Sequence, residues 1–142
     1  MPKTPPPRDA AGNTLPHNDP QILDSDHVIR HTKTFDLAPD EDGGQRVGSG
    51  AYSESHEGGM SVDHEEWLQA DGLSATHYVT NPDDGAKRLT VGDLRAKGFQ
   101  VGWDPLPNNP HHCAVWGIGN GSKRKRKIAQ LATTIRKARG ES

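Results

Sequence analysis

Histidines are the residues of this chain best suited to chemistry near neutral pH. The sequence has eight of them, and His111, His112 and Cys113 stand together after a proline-rich stretch. Histidine titrates close to neutral pH and serves in proton transfer and metal binding. In a strand, His111 and Cys113 would share a face and offer two zinc ligands, but the sequence lacks the usual second pair. We therefore expect no metal and no cofactor.

Acid–base chemistry on a phosphoester is the reaction that the remaining candidates favour. His112 lies beside a loop, and His31 lies on the apolar side of a predicted strand, so two imidazoles are available as base and acid. Arg30 or the lysines are the candidates for holding the phosphate. The candidate catalytic residues on this reasoning are His112 and His31.

A run of five cations follows a glycine-rich loop late in the sequence. Backbone N–H groups of such a loop, together with lysines at the start of a helix, suit a bound phosphate. The spacing matches neither the Walker A motif nor the dinucleotide fingerprint. A solvated helix end, balanced by acidic side chains elsewhere, is the alternative interpretation. The predicted anion-binding residues are Gly119, Gly121, Ser122, Lys123, Arg124, Lys125, Arg126 and Lys127.

The net charge of −2 is the sum of two opposed regions of the chain. Residues 123–142 carry a net charge of +7, whereas residues 1–122 carry −9. Such a dense positive charge favours nucleic acid as a partner, with an acidic protein as the alternative. Only Trp116 lies near the basic run, so the sequence offers few aromatic platforms for stacking single-stranded bases.

Composition limits where a folded domain can lie. Residues 1–26 hold six of the eleven prolines and no aromatic residue, which predicts a disordered tail followed by a single domain over residues 27–142. No apolar run approaches the roughly 18 residues that span a bilayer, so no membrane partner is expected. The N-terminus lacks the apolar region of a secretory signal, and one cysteine cannot form an internal disulfide. We expect a cytoplasmic protein.

Periodicity predicts an α+β domain. Asp63 is expected to cap one short helix and Thr90 a second. An apolar stripe that includes Ile128 and Ile135 predicts a longer, amphipathic and basic C-terminal helix over residues 123–139. Alternating patterns predict a mixed sheet of four to five strands between these helices. The predicted strands cover residues 28–37, 45–53, 75–80, 99–103 and 114–118.

Three segments, together with the lysine-rich stretch after a glycine-bearing strand, form a recognisable pattern; they cover residues 44–52, 60–63 and 104–112. The pattern resembles a family of small bacterial and archaeal proteins. That family brings no assigned activity, so the resemblance implies no residue role. It draws attention to His112, Arg46 and Asp104, and through it Arg46 joins His112 and His31 as a candidate catalytic residue and Arg30 as a candidate anion clamp.

Two functions follow as hypotheses. The leading one is a non-catalytic interaction module whose basic C-terminal helix binds nucleic acid or an acidic protein. The alternative is a small phosphate-directed enzyme, acting on a phosphoester or nucleotide, that uses His112 and His31 with an arginine as anion clamp.

Overall fold

The computed structural model describes residues 2–142, which form eight strands and three α-helices. The helices are α1 (Glu65–Ala70), α2 (Val91–Ala96) and α3 (Ser122–Leu131). The strands are β1 (His27–Thr32), β2 (Leu37–Pro39), β3 (Gln45–Val47), β4 (Met60–His64), β5 (Gly85–Thr90), β6 (Gln100–Trp103), β7 (His112–Trp116) and β8 (Thr133–Arg136). No helix within these residues is long and apolar enough to cross a membrane.

Six strands form one sheet in the order β6-β7-β4-β1-β5-β8, and β2 pairs with β3 in a separate ribbon. Every pairing in both sheets is antiparallel. The α+β class is confirmed, but the predicted mixed sheet of four to five strands is wrong. Strands that a helix joins along the chain, such as β5 and β6 through α2, are not neighbours in the sheet, so no pair of adjacent strands is parallel.

The predicted C-terminal helix over residues 123–139 is wrong in its second half. The helix α3 ends at Leu131, where Ala132 turns to extended backbone with φ −77° and ψ 138°. Residues Thr133–Arg136 then pair with β5 as the edge strand β8. Thr133, Thr134 and Ile135 are β-branched residues, which lose side-chain freedom in a helix and favour a strand. The helix was predicted from the spacing of apolar residues, which takes no account of this preference of β-branched residues for strands.

Several other elements differ from the sequence prediction. The predicted strand 28–37 ends at Thr32, and within the predicted strand 45–53 only Gln45–Val47 is a strand. Residues 75–80, predicted as a strand, form turns, whereas β5 is a central strand that the sequence analysis missed. Its pattern is masked by Lys87, which is buried because its ammonium group binds Glu141 and Thr134 at 2.6 Å each. Asp63 does not cap α1, because the capping residue is His64, whose Nδ1 accepts from the Trp67 N–H at 3.1 Å.

The two faces of the six-stranded sheet are unequal. One face carries the main core, in which Val28, Leu89 and Val115 are fully buried. The other carries a smaller cluster formed by Ile29 and its neighbours Val79 and Ala86. Because side chains alternate along a strand, each strand that sends apolar residues into the main core presents its other residues on this second face.

The segment before β1 packs against the open edge of β6. Asp19 donates its N–H to the Val101 carbonyl at 3.0 Å, and the Val101 N–H donates to the Asn18 side chain at 2.9 Å. Ile22 enters the main core with 1% of its surface exposed. The sequence analysis predicted a disordered tail through residue 26, whereas residues 18–22 of that segment pack against the sheet. An edge strand leaves backbone groups unpaired, and these residues satisfy them.

Candidate active site on the second face of the sheet

The proline-rich loop before β7 is a hydrogen-bonded turn that fixes the position of His112. Leu106 and Asn109 exchange two backbone hydrogen bonds of 3.1 Å, and the Asp104 N–H donates to the His112 carbonyl at 3.0 Å. The Asn109 side chain accepts from the His111 N–H at 3.0 Å. The sequence pattern of this loop therefore encodes a rigid platform at the start of the strand.

The ring of His112 is held in one tautomer. Its Nδ1 lies 2.6 Å from the backbone carbonyl oxygen of Asp104, which can only accept, so Nδ1 carries a hydrogen. In the neutral ring, Nε2 then carries a lone pair. His112 is only 6% exposed, and its buried Nε2 has no hydrogen-bond partner in residues 2–142. Buried polar atoms are normally paired, so this nitrogen is an exception whose partner is not supplied by the described part of the chain.

The sheet register places a carboxyl group beside this imidazole. Asp63 of β4 lies directly opposite His112 of β7, and opposite Ile29 of β1 on its other side. Residues directly opposite each other in an antiparallel pair share a face, with Cβ atoms about 5 Å apart. His31 follows Ile29 by two residues on β1 and therefore lies on the same face of the sheet. Asp63, His112 and His31 thus share the second face.

Asp63 is buried and its pKa is raised above the ordinary value. Burial is the main cause, because it penalises the charged carboxylate. The Asn109 amide, which donates to Asp63 at 2.7 Å, acts in the opposite direction, as do the nearby imidazoles of His112 and His31. When it is ionised, Asp63 stabilises a positive charge that forms on either ring.

A second imidazole stands on the other side of Asp63. The Nε2 of His31 lies 2.6 Å from Asp84 Oδ2, and Lys33 donates to the same oxygen at 3.0 Å. Burial raises the pKa of Asp84, but the hydrogen bonds from Lys33 and His31 outweigh it and the pKa is lowered. An ionised Asp84 accepts from Nε2–H of His31, which leaves Nδ1 to exchange a proton.

Arg30 leaves β1 on the opposite side from His31, yet the two residues line the same cavity. Its guanidinium donates to the Ala51 carbonyl at 3.0 and 2.8 Å and to the Ser61 carbonyl at 2.9 Å. These three bonds use three of the five N–H donors of a guanidinium. Burial lowers the pKa of Arg30 from its ordinary value, and the charge of Asp36 partly restores it. The remaining donors suit an anion, since they are held in place by backbone oxygens.

Two cavities meet at His112. The Arg30 cavity, of about 560 Å³, is lined by Arg30, His31, Asp63 and His112 among others. The Trp116 cavity, of about 520 Å³, is lined by His112 together with Trp116 and Asp104. Both volumes fall within the range typical of small-molecule sites. The His112 ring thus forms part of the wall of each.

The structure brings some predicted site residues together and separates others. His112, His31 and Arg30 line one cavity, as the phosphoester hypothesis requires. Arg46 does not, because it lies on the exposed ribbon strand β3 and lines a different cavity, of about 340 Å³, together with Arg126 of α3. Arg46 is therefore separated from the cavity that His112 and His31 line.

The glycine-rich loop before α3 is partly occupied by the chain itself. The N–H groups of Gly117 and Ile118 both donate to Glu54 Oε1 at 3.0 Å. The capping residue of α3 is Gly121, and Ser122, the first helical residue, accepts from Arg126 at 3.2 Å. Five cations, Lys123, Arg124, Lys125, Arg126 and Lys127, begin this helix, and none forms an ion pair with a carboxylate in residues 2–142.

His111 and Cys113 do not face one another across a metal site. His111 precedes β7 and uses both ring nitrogens, with Nε2 at 2.6 Å from Asp71 and Nδ1 at 3.0 Å from the Tyr78 hydroxyl. Cys113 is completely buried, and burial raises the pKa of its thiol well above the ordinary value.

The described residues contain two clusters with ligand atoms close enough for a metal ion, and both lie near α1. One joins Asp26, His64 and Glu66, and the other joins His27, Glu65 and Glu66. Hydrogen bonds within the chain already account for the imidazoles. His64 binds Asp26 at 2.9 Å, and His27 binds Glu66 at 2.8 Å.

Sequence reasoning missed Asp63 and Asn109 as members of the site. Asp63 was interpreted as a helix cap because it precedes an acidic and aromatic helical segment. The available signal was alternation, since Met60 and Val62 are apolar while Ser61 and Asp63 are polar, which is typical of a strand with one buried face.

Comparison of the chain with protein-family models, with curated proteins and with solved structures found no match.

Proposed function

We propose that this protein is a small hydrolase of phosphoesters, in which His112 and His31 exchange protons with the reactants and Arg30 holds the phosphate. The observation that carries the proposal is the buried Nε2 of His112, which has no partner while Nδ1 is fixed by the Asp104 carbonyl. An unprotonated imidazole nitrogen whose ring is fixed in this way can accept a proton, which is the role of a general base.

The reaction follows from the positions of the two rings. His112 Nε2 removes a proton from a water molecule, whose oxygen forms a bond to phosphorus while the bond from phosphorus to the leaving oxygen breaks. The leaving oxygen takes a proton from Nδ1 of His31, so that an alcohol and a phosphate are released. β4 separates β7 from β1, and His31 lies two residues along β1 from Ile29, which is level with His112, so the two histidine positions are about 12 Å apart. A phosphate placed between them is approached from opposite sides.

The experiment measures hydrolysis of p-nitrophenyl phosphate and bis(p-nitrophenyl) phosphate by the full chain. His112→Asn is the informative variant, because an asparagine amide can still donate to Asp104 but offers no basic nitrogen. We expect kcat/KM to fall roughly 10²- to 10⁴-fold in His112→Asn and much less in His31→Gln, because p-nitrophenolate leaves without first taking up a proton. His77→Ala, which alters an exposed histidine, is the matched control and should leave the rate unchanged.

Two results would remove the proposal. One is wild-type activity in His112→Asn with an unchanged melting temperature. The other is the absence of hydrolysis of either ester by the wild-type chain above the buffer rate.

A second function, binding of nucleic acid through the basic run of residues 123–127, is favoured by the lack of ion pairs at these five cations within the described chain. Positive charges in the first turn of a helix are unfavourable because the helix dipole is positive at that end, and a bound polyanion relieves this cost. Replacing all five by Gln should abolish binding to a duplex and flatten its salt dependence. Lys97→Gln and Lys137→Gln, made together, provide exposed cations outside the run as a control. Equal binding by wild type and the five-fold variant contradicts this function.

A further inference from the structure

We propose that the substrate of the Arg30 cavity is a mononucleotide whose base stacks on Phe35. This inference rests on the proposed function, since it names the class of phosphoester. Phe35 is 82% exposed, which is the highest value among the exposed large hydrophobic residues of the described chain, and it lines the cavity that holds Arg30 and His112. An aromatic side chain in this position offers an open π-face to a flat ligand.

The exposure of Phe35 is built into the fold. Phe35 is the central residue of a 3-10 turn, Thr34–Asp36, whose ends are closed by hydrogen bonds. The Lys33 N–H donates to the Asp36 carboxylate at 2.7 Å, and the Asp36 N–H donates to the Lys33 carbonyl at 3.0 Å. The Asp36 carbonyl in turn accepts from Gly48 at 2.8 Å. The ring is therefore presented by a turn that is pinned on both sides.

A second apolar side chain lines the same cavity. Leu106 is 42% exposed and belongs to the turn that positions His112. The cavity thus combines exposed apolar surface at Phe35 and Leu106 with the guanidinium of Arg30 and the imidazole of His112. A ligand that matches this combination has a flat, largely apolar part joined to an anion that is to be cleaved. A nucleoside monophosphate has this composition, and the cavity volume of about 560 Å³ suits a ligand of that size.

The experiment compares a nucleoside 5′-monophosphate with ribose 5-phosphate, which lacks the base. In Phe35→Ala we expect KM for the nucleotide to rise roughly 5- to 150-fold with kcat unchanged, since this is the range reported for loss of one stacked base. KM for ribose 5-phosphate should stay the same. Phe35→Tyr keeps the ring and should behave like the wild type, and Phe35→Leu keeps apolar area without a ring and should resemble Phe35→Ala.

Binding is also measured without turnover. Phe35→Trp combined with His112→Asn should show fluorescence quenching on addition of the nucleotide and none on addition of ribose 5-phosphate. Quenching without any hydrolysis by the wild type would reject the proposed hydrolase and support nucleotide binding. If both phosphates are hydrolysed and Phe35→Ala changes their two KM values equally, or changes neither, the stacking inference is overturned and the proposed hydrolase stands. Hydrolysis confined to 5′-phosphorylated oligonucleotides would also overturn it.

Discussion

Replacement of His64 by alanine should destabilise the protein strongly, because this fully buried side chain holds the end of β4 next to Asp63. Its Nδ1 caps α1 by accepting from the Trp67 N–H at 3.1 Å, and its Nε2 donates to Asp26 at 2.9 Å. The imidazole also stacks on the indole of Trp67, with ring centroids 3.9 Å apart. Three separate interactions are therefore lost in one substitution.

The size of the effect follows from these contacts. Loss of a helix cap costs about 0.5–2 kcal/mol, and a hydrogen bond to a carboxylate is worth about 1.5–3 kcal/mol. An aromatic pair adds about 0.5–1.5 kcal/mol. Because such contributions overlap, we expect His64→Ala to lower the free energy of unfolding by about 3–5 kcal/mol. His64→Asn should lose about 1 kcal/mol less, since asparagine is a favoured capping residue.

Urea denaturation followed by tryptophan fluorescence measures both variants, with His77→Ala as the control. Burial lowers the pKa of His64, although Asp26 partly opposes this. The folded protein therefore binds fewer protons than the unfolded chain below pH 6.5, and the stability that His64 provides is lost as the pH falls from there towards its folded pKa. His64→Ala should lack this pH dependence. A loss below about 1 kcal/mol at neutral pH would refute the three-contact interpretation.

Three further predictions concern other buried groups. Asp63→Asn should gain stability relative to the wild type as the pH rises above about 3.8. The reason is that a carboxyl whose pKa is raised in the folded state stabilises the fold at low pH and loses that contribution as it ionises. Thermal melts of both proteins at pH 4 and pH 7 measure this, and a difference in melting temperature that does not change with pH would argue against it. Cys113 should resist a thiol reagent until the chain is unfolded by urea, and rapid labelling of the native protein would disprove its burial. Gly85→Ala should lower the melting temperature by several degrees, since its Cβ would lie 2.7 Å from the backbone of both Arg136 and Ala138, whereas Gly50→Ala, where nothing lies within 4 Å, should not.

Local chemistry was readable from the sequence where it depends on a few neighbouring residues. The loop before His112 was singled out, and His112, His31 and Arg30 were proposed to act together. The structure places all three at one cavity. That grouping was a chemical guess, because nothing in the sequence shows that β4 lies between β7 and β1. Arg46, which the family resemblance singled out, lies elsewhere, on the ribbon.

Long-range pairing explains most of what the sequence did not reveal. The strand β8 looked helical because Ile128, Leu131 and Ile135 keep helical spacing, whereas the competing preference of Thr133–Arg136 is realised only when β5 is present as a partner. The strand β5 was missed for the converse reason, since buried Lys87 is tolerated only because Glu141 reaches it from the end of the chain. Whether each of these two segments forms a strand therefore depends on residues about fifty positions away in the sequence.

In the proposed site, His112 presents a free Nε2 lone pair to a ligand held by Arg30, and ¹⁵N NMR of the ring nitrogens tests this arrangement most directly. At a pH where the ring is neutral, we predict a protonated Nδ1 and an unprotonated Nε2. Addition of inorganic phosphate should shift the Nε2 resonance in the wild type, and Arg30→Lys should weaken that response. A ring protonated at Nε2, or an Nε2 resonance that phosphate leaves unchanged, would contradict the claim.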